Sequence, residues 1–261
     1  MTHTALITGG SSGIGFELAK CFAWDGYRLF LVALEADELA RAQSELHQIS
    51  GQEVFILQKD LSVLGAAEEV YDFTRSNGLT IDVLVNNAGF GSHGYFSETS
   101  LEHEQKMLLL NNVALMTLTK LFLHEMQTRN RGHILNISST AGLQPSPAFA
   151  AYGASKQFVH NFSMALNYEL KVQKSGIKVT VICPPATRTP FGKRANMENH
   201  PVFSNILTMN PDQVALATYH AMQAGRARLI LPSWSAWIQT GLYRLLPLRA
   251  IMGLVHQGLK K

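Results

Sequence analysis

A tyrosine and a lysine four residues apart, Tyr152 and Lys156 in the stretch YGASK, carry the sharpest chemical signal in the chain. On a helix that spacing puts both side chains on one face, within reach of one ligand atom. A tyrosine near its reference pKa of about 10 is a poor base at neutral pH. A neighbouring ammonium favours the phenolate and is expected to lower that value. Tyr152 could then give a proton to a carbonyl being reduced, or take one from an alcohol being oxidised. Ser139 closes an apolar run upstream and offers a hydroxyl that would hydrogen-bond the same oxygen and steady its developing charge. Taken singly, each residue type is far more often surface or packing than chemistry. The combination is what points to a site.

A second signal is the glycine-rich octet TGGSSGIG at residues 8–15. It follows an apolar strand pattern and opens a helical one, the context a phosphate-binding turn needs. Gly9 supports the tight turn, Gly13 lets the backbone approach a pyrophosphate, and Gly15 permits close packing of helix on strand. Free N–H groups and a partial positive charge at the helix start would then hold the anion. The spacing is TGxxxGxG rather than GxGxxG, so alone it fits a plain glycine turn equally well.

The elements that must position these residues alternate along the chain. Strand patterns fall at Thr4–Thr8, Arg28–Ala33, Glu53–Gln58, Val83–Asn86, His133–Ser138, Lys178–Cys183 and Arg228–Leu231. Helical patterns lie between them, clearest at Gly13–Trp24, Ala36–Ile49, Glu104–Arg129 and Tyr152–Val172. The alternation predicts βαβ units and a parallel sheet, whose ligands bind outside the carboxyl ends of the strands. The 261 residues contain no Pro- or Ser-rich linker and no internal repeat, which favours one domain over two. Cys21 and Cys183 sit in separate apolar segments, which disfavours a disulfide framework or a zinc site and suggests a reducing cytoplasm. The apolar run from Ala5 leaves no room for a secretory leader, and no uninterrupted run of about 18 apolar residues suggests a spanning helix.

Further along come NNAG at 86–89 and NISS at 136–139. With the octet and YGASK, these make the chain resemble the short-chain dehydrogenase/reductase family in its single-domain form, from about Thr4 to Thr189. The resemblance implies a Rossmann-type α/β fold, a doubly wound parallel seven-stranded sheet of order 3-2-1-4-5-6-7. One domain would cover residues 1–232, with a substrate lid at about 187–210 and a basic helical extension at 233–261. An NAD(P)-dependent oxidoreductase is implied, with Asn112, Ser139, Tyr152 and Lys156 as catalytic residues. The asparagine would order a water beside the lysine, and the adjacent Asn111 is the second candidate for that position.

The same resemblance lays the cofactor on Gly9, Ser11, Ser12, Gly13, Ile14 and Gly15 of the octet, with Leu34 after strand two. Asp60 and Leu61 follow strand three, Asp60 accepting from the adenine or capping the next helix. Asn87, Ala88 and Gly89 come from NNAG, Asn87 in a structural capacity. Tyr152, Lys156, Pro184, Thr187 and Thr189 complete the set, Thr189 reaching the carboxamide, with Pro185 where relatives carry glycine. Ala33 stands at the acidic position of NAD users and Leu34 at the basic position of NADP users. Ser12 likewise offers only a hydroxyl, and Glu35 begins the next helix. Family members with TGxSSGIG and NAGFG motifs use NADP, so NADP is expected ahead of NAD.

Apolar residues would wall the substrate end. Phe191, Met197, Val202, Phe203, Ile206 and Leu207 come from the lid, and Leu143, Pro145 and Phe149 from the segment before Tyr152. They suggest a hydrophobic ketone, aldehyde or alcohol. The apolar helices at 104–129 and 152–172 suggest a homodimer or homotetramer, as in the family. After Asp212 the chain has six Lys and Arg and no acidic residue, against a net charge of +3 overall. Trp234, Trp237, Ile238, Leu242, Leu245 and Leu246 recur there at helical spacing, and the stripe resumes at Leu248, Ile251, Met252, Val255 and Leu259. The segment reads as a helix over the pocket or on a partner subunit, or as a peripheral membrane contact of residues 233–261. Its basic residues are spread among apolar ones, which argues against nucleic acid. A dinucleotide-binding scaffold without turnover is the alternative function.

Overall fold

Alternation of side chains along each strand decides the layering of this protein. In the computed structural model, which describes residues 2–195, 197, 200–203, 208–232 and 246–259, Ala5 and Ile7 of β1 (Thr4–Thr8) pack to one side. Leu6 between them packs to the other, as the period of two requires. The same division runs through β2 (Arg28–Ala33), with Leu29 and Leu31 on the first face and Phe30 and Val32 on the second. Every one of these residues is buried, the mark of a parallel sheet covered on both faces.

The remaining strands are β3 (Val54–Gln58), β4 (Val83–Asn86), β5 (Gly132–Ile137), β6 (Ile177–Cys183) and β7 (Arg228–Ile230). All pair in parallel in one seven-stranded sheet of order β3-β2-β1-β4-β5-β6-β7. The expected order is therefore observed, with β5 beginning and ending one residue early. Helices α1 (Gly13–Trp24) and α2 (Ala36–Ser50) cover the first face with α8 (Pro211–Gln223). Helix α3 (Ala66–Ser76), α5 (Leu115–Arg129) and α6 (Ala150–Val172) cover the second. Strand order reverses between β1 and β4, and crossovers leave in opposite directions there, opening a crevice at the carboxyl ends.

Three further helices complete the described chain: α4 (Leu101–Leu108), a short α7 (Phe191–Arg194) and α9 (Leu248–Leu259). Residues Leu109–Ala114 between α4 and α5 form a π-helical turn, so the single helix expected from the pattern is continuous but wider in the middle. The combined run Leu101–Arg129 is long and apolar enough to cross a membrane by length and composition. In this fold it is a core helix, with Leu118, Phe122 and Met126 in the packed second face. The tail residues Trp234, Trp237, Ile238, Leu242 and Leu245 lie outside the described residues, as do Ile206 and Leu207 of the lid.

Candidate active site

The glycine octet forms a tight turn from β1 into α1. Gly9 and Gly13 take left-handed backbone conformations (φ +63° and +57°) that favour glycine. Gly15 is needed for a different reason: a methyl group there would lie 2.2 Å from the Gly9 carbonyl oxygen and 2.4 Å from Asn87 Nδ2. Asn87 clamps the turn, its amide donating to the carbonyl oxygens of Thr8 (2.9 Å) and Gly9 (3.1 Å). The Thr8 hydroxyl in turn accepts from the N–H groups of Asn87 and Ala88, both at 3.0 Å. Asn87 thus ties the end of β4 to the turn, while Asn86 joins β4 to β5 through Asn136 at 2.9 Å. Ser12, extended before the helix, makes no side-chain capping bond. The first-turn N–H groups of α1 are left for a ligand.

A cavity of about 620 Å³ starts at this turn and runs along the carboxyl ends of the strands. Leu34, Glu35, Lys59, Asp60 and Leu61 line one end; Asn87, Ala88 and Gly89 line the middle with Pro184, Thr187 and Thr189. Ser139, Tyr152 and Lys156 lie farther along the same wall. Its size is that of a cofactor or small-molecule pocket. The close backbone, the free helix start and a floor that a side chain at Gly13 would press against Thr189 (3.1 Å) fit a dinucleotide diphosphate. Of the residues assigned to the cofactor from sequence, all but Gly15 face this cavity, and Gly15 shapes the turn from behind. Asp60 also accepts from the N–H and hydroxyl of Ser62, at 2.9 and 2.6 Å, so it holds its own turn.

Helix α6 carries Tyr152 and Lys156 on one face near its start, 7% and 5% exposed. Burial pushes the Tyr152 phenol up to about 12, with a hydrogen bond to Ser139 pulling the other way. Among the protein groups alone, burial opposes the lowering expected from the sequence. The reason is positional: Lys156 Nζ donates to the Ile137 carbonyl at 3.0 Å and stands 6.0 Å from the Tyr152 ring centroid. Desolvation, opposed by the Ser139 hydrogen bond, sets the direction of the shift. The phenol keeps its proton at neutral pH. Burial also draws Lys156 down to about 8, against the opposing influence of the Cys183 thiol. Ser139 follows β5, and its hydroxyl accepts from the Ala141 N–H at 3.1 Å. Next to it the Ser138 hydroxyl donates to the Lys156 carbonyl at 2.7 Å, pinning α6 to the sheet.

The two asparagines of the π-helical turn separate clearly. Asn112, favoured from sequence, donates to the Ser155 carbonyl at 2.8 Å, and neither asparagine lines the cavity. Asn111 is buried, and its amide donates to the Phe90 carbonyl (3.0 Å) and the Ser155 hydroxyl (3.2 Å). A methyl group on Gly89 would sit 2.8 Å from Asn111 Oδ1 and 3.3 Å from Lys156 Nζ. Asn111 and Lys156 thus flank the same point, and the neighbour of the lysine is Asn111, not Asn112. Both asparagines lie in the π-helical turn, and Asn111 is its buried member of the two.

Beyond Tyr152 the cavity becomes apolar. Phe149 and Phe191 stand with ring centroids 5.0 and 5.5 Å from that of Tyr152. Met197, Val202 and Phe203 join them as expected, whereas Leu143 and Pro145 do not line the cavity. Three cations on the walls, Lys59, Lys106 and Arg194, went unnoticed in the sequence. Isolated basic residues in helices and loops carry no spacing signal.

The chain matches the family model described as short chain dehydrogenase over residues 3–200. It is 37% identical to the 17-beta-hydroxysteroid dehydrogenase type 3 of Mus musculus over 207 residues, 75% of this chain and 64% of that protein. The match therefore spans just under two thirds of that relative. The very-long-chain 3-oxoacyl-CoA reductase of Anas platyrhynchos is 31% identical over 263 residues, covering 98% of this chain and 80% of the other. Among solved structures, a short-chain dehydrogenase from Sphingobium yanoikuyae in complex with NADPH superposes with a TM-score of 0.83 at 32% identity, covering 96% and 95% of the two chains.

Proposed function

The chain belongs to the short-chain dehydrogenase family, and from that premise we propose that it is an NAD(P)-dependent oxidoreductase. It interconverts a hydrophobic ketone or aldehyde with its alcohol, and Tyr152 is the general acid in reduction and the general base in oxidation. One observation carries the reading: the Tyr152 phenol and the Ser139 hydroxyl line the same cavity as the glycine turn and a cluster of apolar side chains.

Gly9, Ser11, Ser12, Gly13, Ile14 and the start of α1 would hold the diphosphate of the dinucleotide, shaped by Gly15. Leu34, Asp60 and Leu61 would take the adenosine end, and Asn87, Ala88, Gly89, Pro184, Thr187 and Thr189 the nicotinamide end. When bound, the nicotinamide supplies or accepts the hydride. Ser139 Oγ and the Tyr152 phenol would both donate to the substrate oxygen, fixing it and drawing negative charge onto it. The Tyr152 proton would then pass to that oxygen. Lys156, as an ammonium below about pH 8, would stabilise the phenolate left behind. Asn111 positions Lys156 and the Phe90 segment, taking the place first given to Asn112.

Lys59 and Glu35 both line the adenosine side, and Lys59 is ion-paired with Glu69, so the order of NADP ahead of NAD rests on the family resemblance. A comparison of dissociation constants for NADPH and NADH decides: tighter NADH binding overturns the order. Exposed Met116 on α5, with Phe158 and Tyr168 on α6, supports a homodimer or homotetramer. Sedimentation at the monomer mass would contradict it. The functional reading itself is tested with a panel of apolar ketones, aldehydes and alcohols and both dinucleotides, following reduced nicotinamide absorbance. Turnover of several apolar ketones is expected; turnover of none would overturn it.

A further inference from the structure

The end of the chain returns to the apolar pocket from far away in sequence. Val255, Gly258 and Leu259, one face of α9 at helical spacing, line the same cavity as Ser139 and Tyr152. Leu259 packs into the cluster formed by Met107, Phe149, Tyr152 and Met197. The Leu259 carbonyl belongs to the last turn of α9, where no intrahelical donor remains for it. Two histidines supply donors instead: His93 Nε2 at 3.0 Å, from the loop after β4, and His200 Nε2 at 3.3 Å, from the segment after α7. His200 Nδ1 accepts the Val202 N–H at 3.2 Å, which leaves the proton on Nε2, where the Leu259 carbonyl needs it. Tyr95 reaches His256 at 3.0 Å from the same loop as His93.

We infer that Leu259 is a specificity-determining wall of the substrate pocket, set in place by His93 and His200, so that α9 limits the size of carbonyl compound admitted. This rests on the reading of the cavity as a carbonyl site. The rest of α9 is lightly held, since Ile251 is its single buried residue. The side chain at 259 is therefore fixed chiefly by its last-turn contacts. Gly258 beside it has no side chain to take over if the isobutyl group is removed. One methylene more or less in such a pocket changes discrimination by about 10–200-fold.

The test uses the full chain with Leu259→Ala, Leu259→Trp, and a His93→Ala/His200→Ala double variant. Cyclohexanone and 2-decalone are compared as substrates, and cyclohexanol and 2-decalol as ligands by calorimetry on the dinucleotide-loaded protein. Leu259→Ala is expected to raise the preference for the bicyclic compound at least tenfold in kcat/KM and in Kd, and Leu259→Trp to lower it. Dinucleotide affinity should stay as in the parent for both, which also confirms that the variants fold. Unchanged ratios with cyclohexanone turnover intact overturn this inference and leave the functional reading standing. Altered Kd ratios with no turnover of either ketone leave the wall standing and overturn the functional reading. The double histidine variant should shift the ratio in the same direction as Leu259→Ala; unchanged discrimination there overturns the positioning by the histidines.

Discussion

Replacing Gly15 with alanine sets two physical effects against each other, and their magnitudes decide the sign. Gly15 lies inside α1 without a left-handed φ, so helix propensity alone favours alanine by about 1 kcal/mol. Against this, the new methyl would meet the Gly9 carbonyl oxygen at 2.2 Å and Asn87 Nδ2 at 2.4 Å, about 1 Å inside ordinary contact. Forcing atoms apart in a packed site costs about 1–3 kcal/mol. The Asn87 amide would also loosen its bonds to Thr8 and Gly9, each worth about 1 kcal/mol. The net loss is then about 1–4 kcal/mol, a fall in Tm of roughly 2–16 °C for a chain of this size. Displacing the turn also moves the donors proposed to hold the dinucleotide, and a tenfold weaker Kd needs only about 1.4 kcal/mol. Thermal unfolding and a fluorescence titration with NADPH and NADH read both effects. Gly26→Ala is the control: its φ of +73° costs stability, but nothing lies within 4 Å and dinucleotide affinity should not change. Parental affinity together with a Tm equal to or above the parent's in Gly15→Ala would refute the cradle geometry.

Acid should expose His133, which burial, helped by the Lys178 charge, pulls down to about 4 while its ring meets the Thr180 hydroxyl at 2.8 Å. Between about pH 6.5 and 4 the unfolded chain binds a proton that the folded one refuses, so stability rises with pH there and is lost on acidification, by up to about 3 kcal/mol. Urea unfolding at pH 7 and 4.5 should show a smaller acid loss for His133→Gln than for the parent; equal losses contradict the assignment. A peripheral membrane contact, one of the three readings of the basic tail, requires flotation with anionic vesicles that falls in Arg249→Glu/Leu254→Asp, where the parent residues are exposed on α9. Equal soluble recovery of parent and variant, with and without vesicles, would sink the membrane contact.

What the sequence conveyed depended on how local each cause was. Strands β1, β2 and β4 fall where apolar patterning puts them, because residues buried on both faces leave continuous apolar runs. The glycine cradle and the pairing of Tyr152 with Lys156 were legible because a turn and a helical spacing are local events. Asn112 was placed by family resemblance, and the choice between two adjacent asparagines turns on contacts made only in the fold, such as those of Asn111 with Phe90 and Ser155. The burial that raises the Tyr152 value is not legible from helical spacing to Lys156, because Phe149 and Phe191 reach the ring only in the fold. The meeting of His93, His200 and Leu259 was invisible for the same reason: it exists only once distant segments have folded together.

The central claim is that Tyr152 hands its proton to the substrate oxygen in a cavity that binds the dinucleotide independently. Tyr152→Phe removes one hydroxyl and little volume. Steady-state reduction of the best ketone in the panel, paired with NADPH titration of the same sample, measures both parts. A fall in kcat of about 10²–10⁴-fold, with dinucleotide affinity within about twofold of the parent, is the predicted result. Reduction at the parental rate would contradict the account.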